Sequence, residues 1–263
     1  MKKNSVLVVL RVALGLMAWF LITMGFSKIL GPRLSGKLPE NMMLFMSAMF
    51  IPYTVGIEGF LLIAGKMEKE SPSGEAPVTA ALLLKSLIIQ LGISIPVATV
   101  TNIIIRVLGG NVGSDLTASL YGENWLFYAV LLLLFNPVFE ELLFRKMILE
   151  RLLLLGKKEA IIISAVLFAI PHAISQGIPQ LFATFIAGLV WGYIRVKTGK
   201  LWPCMVLHAL FNLFCGYVVS ALAASQVGAV AMVLIFLILF PVLAVFNVKK
   251  LKKTEDFFKG ISF

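Results

Sequence analysis

Two histidines, His172 and His208, are the whole histidine complement of this 263-residue chain. Each lies in a strongly apolar stretch, as does the adjacent acidic pair Glu140-Glu141. Ionisable side chains at membrane depth are costly to keep there and by default mark functional sites. A carboxylate beside an imidazole can share a proton and hold a water between them. These residue types therefore point to acid–base chemistry.

Spacing divides the work among them. Arg145 follows Glu141 by one helical turn, and Glu before Arg at that spacing is the favourable order for an ion pair. Glu140 points ~100° away around the helix, so it is left free for chemistry. Gly156 is the natural turn between the two segments that carry Glu140 and His172, and a tight hairpin there brings both side chains to one level. Pro171 removes a helix donor just before His172, and Phe168, one turn earlier, can pack on the ring. His208 and Asn212 share a face at i, i+4 and could donate together to an oxyanion. Counting through turns near 177 and 199 leaves His208 ~10 Å and Asn212 ~5 Å off that common level, so a kink or an unequal turn must absorb the difference.

The elements that must position these groups are transmembrane helices. The chain is 60% hydrophobic and 14% charged, with mean hydropathy +0.98, against about 25% charged residues in a soluble domain. The expected fold is all-α: a polytopic membrane bundle of about eight helices with an intramembrane polar cavity. Apolar runs lie near 6–29, 42–64, 79–107, 125–147, 159–176, 179–196, 203–224 and 227–247. Runs this long favour helices over barrel strands, which would alternate in pieces of about 10 residues. The N-terminal run resembles a signal peptide, but Arg11 interrupts it and no small-residue cleavage site follows, so a retained anchor is expected.

The net charge of +10 collects at span ends and not in a nucleic-acid-binding patch. Lys2 and Lys3, the stretch Arg145 to Lys158, the stretch Arg195 to Lys200, and Lys249 to Lys253 all fall on one side, whereas the connections near 177 and 225 carry no charge. Both termini are therefore expected in the cytoplasm, with the basic turn from Arg33 to Lys37 as the one dissent. The organisation reads as a two-span hairpin (1–65), a polar and flexible cytoplasmic linker (66–78), a six-span core (79–247) and a basic tail (248–263). Within the first hairpin, Arg11 and Glu58 average to a point inside the Gly31-to-Gly36 turn, which predicts an intramembrane ion pair. Cys204 and Cys215 sit ~16 Å apart along one helix and cannot bond to each other.

Glu140-Glu141-x-x-x-Arg145, Phe168-x-x-x-His172 and His208-x-x-x-Asn212, in that order and each in an apolar span, resemble the three-motif signature of the CAAX-protease and bacteriocin-processing (Abi) family of intramembrane endopeptidases. The resemblance covers about 125–220. It implies that Glu140 and His172 activate water, that His208 and Asn212 form the oxyanion site, and that Glu141, Arg145 and Phe168 support them. It leaves the metal question open. Glu140, His172 and His208 would make a His₂Glu zinc set, but the chain has no H-E-x-x-H helix and Asn is a poor zinc ligand, so a metal-free mechanism is favoured.

The expected function is hydrolysis of a peptide bond in a hydrophobic or lipidated segment drawn from the bilayer, near the cytoplasmic face and wetted through a cavity open to the cytoplasm. The alternative is a non-catalytic immunity or peptide-binding protein that uses the same cavity. A transporter with a Glu140–His172 proton relay ranks last, because no internal repeat accompanies it.

Overall fold

The computed structural model describes residues 2–110 and 120–254, and it is helical almost throughout. Eight long helices follow in order: α1 (Ser5–Leu34), α2 (Glu40–Ala64), α3 (Ala80–Val107), α4 (Trp125–Leu155), α5 (Lys157–Gln176), α6 (Ile178–Thr198), α7 (Trp202–Ala223) and α8 (Gln226–Lys249). Seven of these are long and apolar enough to cross a membrane; α6 is the exception. It is the most enclosed of the eight, with Ala183, Ala187, Trp191 and Ile194 all buried. A helix sheathed by other helices does not need the run of lipid-facing leucines that hydropathy detects. The chain is an integral membrane protein with an all-α polytopic bundle. The last part of the basic tail, 255–263, lies outside the described residues.

Small residues set the tightest contact. Gly188 and Gly192 are one turn apart on α6, and a Cβ on either would come within 3.1 Å of Ala165 or 3.2 Å of Ile161 on α5. In lipid, where helices gain nothing from hiding apolar surface, such close backbone approach is a main source of packing energy. It fixes α5 against α6 and so fixes His172 relative to Trp191.

The first hairpin packs by the same rule but not in the expected register. Gly15 lies against Phe60, and Gly56 against Trp19. That register sets Arg11 level with the end of α2, more than a turn from Glu58, because α1 runs on to Leu34 and α2 restarts only at Glu40. The Arg11–Glu58 ion pair does not form; Arg11 donates to the Ile63 carbonyl at 3.3 Å, and both side chains are exposed.

Three arginines expected in the cytoplasmic connections are instead buried. Arg195 pairs with Glu150 at 2.7 Å and also donates to the Gly199 carbonyl. Arg151 donates to the carbonyls of Ala64, Gly65 and Met147, tying α4 to the C-terminal end of α2. Arg145 is fully buried. This is why α4 continues well past the expected end near 147.

The polar linker after α2 is not a free loop. It lies extended across this end of the bundle, where the Glu70 amide donates to the Glu150 carbonyl (2.8 Å) and the Ala76 amide to the Lys197 carbonyl (3.2 Å). Gly199, at φ 66, ends α6 in the left-handed conformation and sits directly against the carbonyl of Gly74. The Thr79 hydroxyl then caps α3 through the Leu82 amide.

Candidate active site

Glu140 sits midway along α4, between two stretches where the helix widens, Leu131–Phe135 and Leu142–Ile148. Wide turns of this kind recur at functional sites. The first has a local cause. The Asn136 amide bonds back to the Leu131 carbonyl and Pro137 has no N–H, so the Leu132 carbonyl loses its helical donor. The Asn212 side-chain amide supplies the missing bond at 2.8 Å, which joins α7 to α4.

The structure brings Glu140, His172 and His208 together from three helices. The Nε2 atoms of both histidines lie 3.8 Å from the same carboxylate oxygen, Glu140 Oε2. That is too long for a direct hydrogen bond, but it suits two groups that share a water lying off the line between them. Glu140 Oε2 is buried and makes no hydrogen bond to protein. The other oxygen, Oε1, accepts from the Tyr53 hydroxyl at 3.4 Å, and the Tyr53 ring leans on Phe135 and Phe139.

The ring nitrogens are assigned by their partners. The Phe168 carbonyl can only accept, so His172 Nδ1, 2.8 Å away, carries a proton. In the neutral ring Nε2 is then a lone pair facing Glu140. Pro171 leaves the Leu167 carbonyl without its helical donor one position earlier, where the helix stays continuous. The Phe168 ring lies 4.6 Å from the His172 ring. His208 Nδ1 meets Glu141 Oε1 at 3.1 Å, and the His208 ring stacks on Trp191 at 4.2 Å with an interplanar angle of 18°.

Glu141 also faces Arg145 at 3.2 Å, with both side chains fully buried. Neither of the two atoms in this contact makes a directional hydrogen bond, so Arg145 acts there as a neighbouring charge. Its guanidinium reaches Ser164 at 3.2 Å and lies over the Phe168 and Trp191 rings at 5.1 and 5.6 Å. The two adjacent glutamates thus have different settings: Glu141 is held by a cation and an imidazole, whereas Glu140 keeps one oxygen unengaged.

A cavity of ≈ 290 Å³ opens over these groups, and its wall includes Asn136, Glu140, His172, Trp191, His208 and Asn212. From there it runs past Gln176, Gln180 and Ser220, toward the turns near 177 and 225. From Glu140 the cavity leads away from the basic end of the bundle. Beneath Glu140 that end is filled by Glu141, Arg145, Phe144, Ile148 and Leu152, all buried.

Four residues around the site escaped the sequence reading. Asn136 is one turn before Glu140 and shares its face, which was a usable signal. Gln90 on α3 accepts from the Trp191 indole at 2.7 Å and donates to the Leu207 carbonyl at 2.9 Å, and so holds the ring that supports His208. Neither Gln90 and Trp191 nor Tyr53 gave any sequence signal, because each reaches the site from a separate helix.

The donor set has the chemistry for zinc, and both histidines have Nδ1 anchored as metal ligands usually do. The spacing differs. Zinc holds its ligand atoms about 3.3 Å apart, given bonds of ~2.0–2.2 Å, and here both histidine nitrogens stand 3.8 Å from the carboxylate oxygen. Among the described residues no group of three or more His, Cys, Asp or Glu side chains is arranged to hold a metal ion.

Residues 122–214 match the model of the type II CAAX prenyl endopeptidase Rce1-like family. The matched stretch contains Glu140, His172, His208 and Asn212, and it leaves out the hairpin that supplies Tyr53. The match carries the CAAX-protease side of the resemblance seen in the motifs, and it supports intramembrane endopeptidase activity in general. No curated protein and no solved structure matches the chain.

Proposed function

We propose that the protein hydrolyses a peptide bond within a hydrophobic or lipidated polypeptide segment, with Glu140 and His172 activating water and no metal taking part. The observation that carries this reading is the unengaged Glu140 Oε2 with two imidazole nitrogens at 3.8 Å. A water there donates one hydrogen to Glu140 Oε2 and the other to His172 Nε2, leaving an oxygen lone pair for attack on the substrate carbonyl. Glu140 takes the proton as the C–O bond forms and later delivers it to the departing amine nitrogen as the C–N bond breaks. Tyr53, by donating to Oε1, fixes the plane of the carboxylate.

The oxyanion falls to His208 and Asn212. Asn212 spends one amide hydrogen on the Leu132 carbonyl and has a second to offer. His208 already donates from Nδ1 to Glu141, so its Nε2 becomes a donor only when the ring carries both protons. The step therefore uses Glu140 as a carboxylate, His172 as a neutral ring and His208 with a proton on each nitrogen.

The test compares membrane peptides by mass spectrometry in cells that carry the wild type, Glu140→Gln or His172→Ala. The expected result is a peptide that accumulates uncut in both variants, at unchanged abundance of the protein and with a rate loss of about 10²–10⁴. Normal processing by both variants would refute the enzyme reading and favour a cavity that only binds peptide.

A further inference from the structure

We infer that the cavity receives its polypeptide from the membrane face opposite the basic end of the bundle, so that the substrates are segments presented on the non-cytoplasmic side. This rests on the proposed endopeptidase activity and names the class of substrate that the site can reach.

Three observations converge. The first is charge. Lys66, Lys69, Lys146, Lys157, Lys158, Lys200 and Lys249 all belong to one end of the bundle, the end at which α2, α4, α6 and α8 finish. The opposite end carries Lys28, Arg33, Lys37 and Arg106, and its turns near 177 and 225 are uncharged. Lysine and arginine mark the cytoplasmic side of short connections, so the basic end faces the cytoplasm.

The second is closure. On the basic side, the floor of the site is the buried Glu141–Arg145 pair, and under it lies a layer of buried side chains including Phe144, Ile148, Leu152 and Ile194. The linker after α2 then crosses that end, hydrogen-bonded at Glu150 and Lys197. None of these side chains lines the cavity.

The third is the lining. Away from the basic end the wall becomes polar at Gln176, Gln180, Thr184 and Ser220, between the apolar surfaces of Leu120, Leu132 and Phe211. Side-chain amides and hydroxyls over apolar walls suit an extended, uncharged backbone. No Lys or Arg lines the cavity among the described residues.

The experiment is cysteine labelling in the full-length protein, in a Cys215→Ser background because Cys215 lines the cavity; Cys204 is fully buried. Ser220→Cys reports the cavity, and two exposed positions report the ends: Gln226→Cys and Lys157→Cys. A membrane-impermeant maleimide is applied to intact cells and, separately, to inside-out vesicles. The expected result is that Gln226→Cys and Ser220→Cys react in intact cells, whereas Lys157→Cys reacts only in inside-out vesicles. Reaction of Ser220→Cys from the vesicle side only, or from neither side, overturns the inference. Labelling does not depend on turnover, so adding Glu140→Gln leaves the pattern unchanged. If the pattern holds but no uncut peptide accumulates in Glu140→Gln cells, the protease reading fails while the sidedness stands.

Discussion

The two halves of the bundle bury the same kinds of residue and use them differently. In the basic half, Glu150 meets Arg195 at 2.7 Å, Arg151 is spread over three carbonyls, and Glu141 is held between Arg145 and His208. In the other half, Glu140 keeps one oxygen without a protein partner, and so does Asn136. A buried carboxylate whose partners are all protein is a fastener. One with an oxygen left for water is a reagent. Residue type does not separate the two, and neither does hydrogen-bond saturation, since Glu141 Oε2 also lacks a hydrogen bond. The difference is that a guanidinium lies 3.2 Å from that oxygen, whereas Glu140 Oε2 faces two imidazole nitrogens at 3.8 Å beside a cavity.

The contrast can be broken most forcefully at the fastened end. Glu150→Gln leaves Arg195 buried without its counter-charge, and should cost about 3–5 kcal/mol of stability. Thermal unfolding in detergent should show a large fall in the midpoint, while the folded fraction keeps its normal specific activity. A loss of turnover without a loss of stability would place Glu150 in the chemistry and erase the distinction.

Asn212→Ala tests a residue that belongs to both halves of the contrast. If its second amide hydrogen serves the oxyanion, the turnover number should fall about 10²–10³-fold. Loss of its bond to Leu132 alone would show as lower stability at unchanged turnover. A smaller effect is expected of Tyr53→Phe, which removes one neutral-to-charged hydrogen bond worth about 1.5–3 kcal/mol at most. At 3.4 Å this bond lies at the weak end, so a several-fold drop in rate with little change in substrate affinity is expected, measured on the peptide identified above. The smallest effect is that of metal chelation. Incubation with a zinc chelator should leave the rate unchanged, and metal analysis should find less than stoichiometric zinc. Stoichiometric zinc whose removal abolishes activity would mean that the three donors close in around an ion.

Much of the bundle could be read from the sequence because lipid imposes a long apolar run on every helix that touches it. The run at 179–196 was legible too and forms α6, although its neighbours are helices and its composition is correspondingly mixed. The site was legible where function sits on one helix at i, i+4, as with Glu141 and Arg145 or His208 and Asn212. It was legible also across the Gly156 hairpin, which brings Glu140 and His172 together, but not where a partner arrives from a helix farther along the chain. The contact between His208 and Glu141 joins residues 67 apart in sequence, and that between Tyr53 and Glu140 joins residues 87 apart. Turn-counting failed in the first hairpin because α1 overruns Pro32, so Arg11 slid past Glu58. Charges near 145–151 and at 195 were legible as one basic end, but nothing in a list of charges says whether they face water or one another.

The account rests on Glu140 and His172 acting on one water as a single unit. The direct test is a double-mutant cycle on kcat/KM for the peptide that accumulates in Glu140→Gln cells, using Glu140→Gln, His172→Ala and the double variant. If they act as a unit, the double variant should be no slower than the slower single variant, to within about threefold. If the two losses multiply, each residue contributes independently and the shared water is not the catalytic centre.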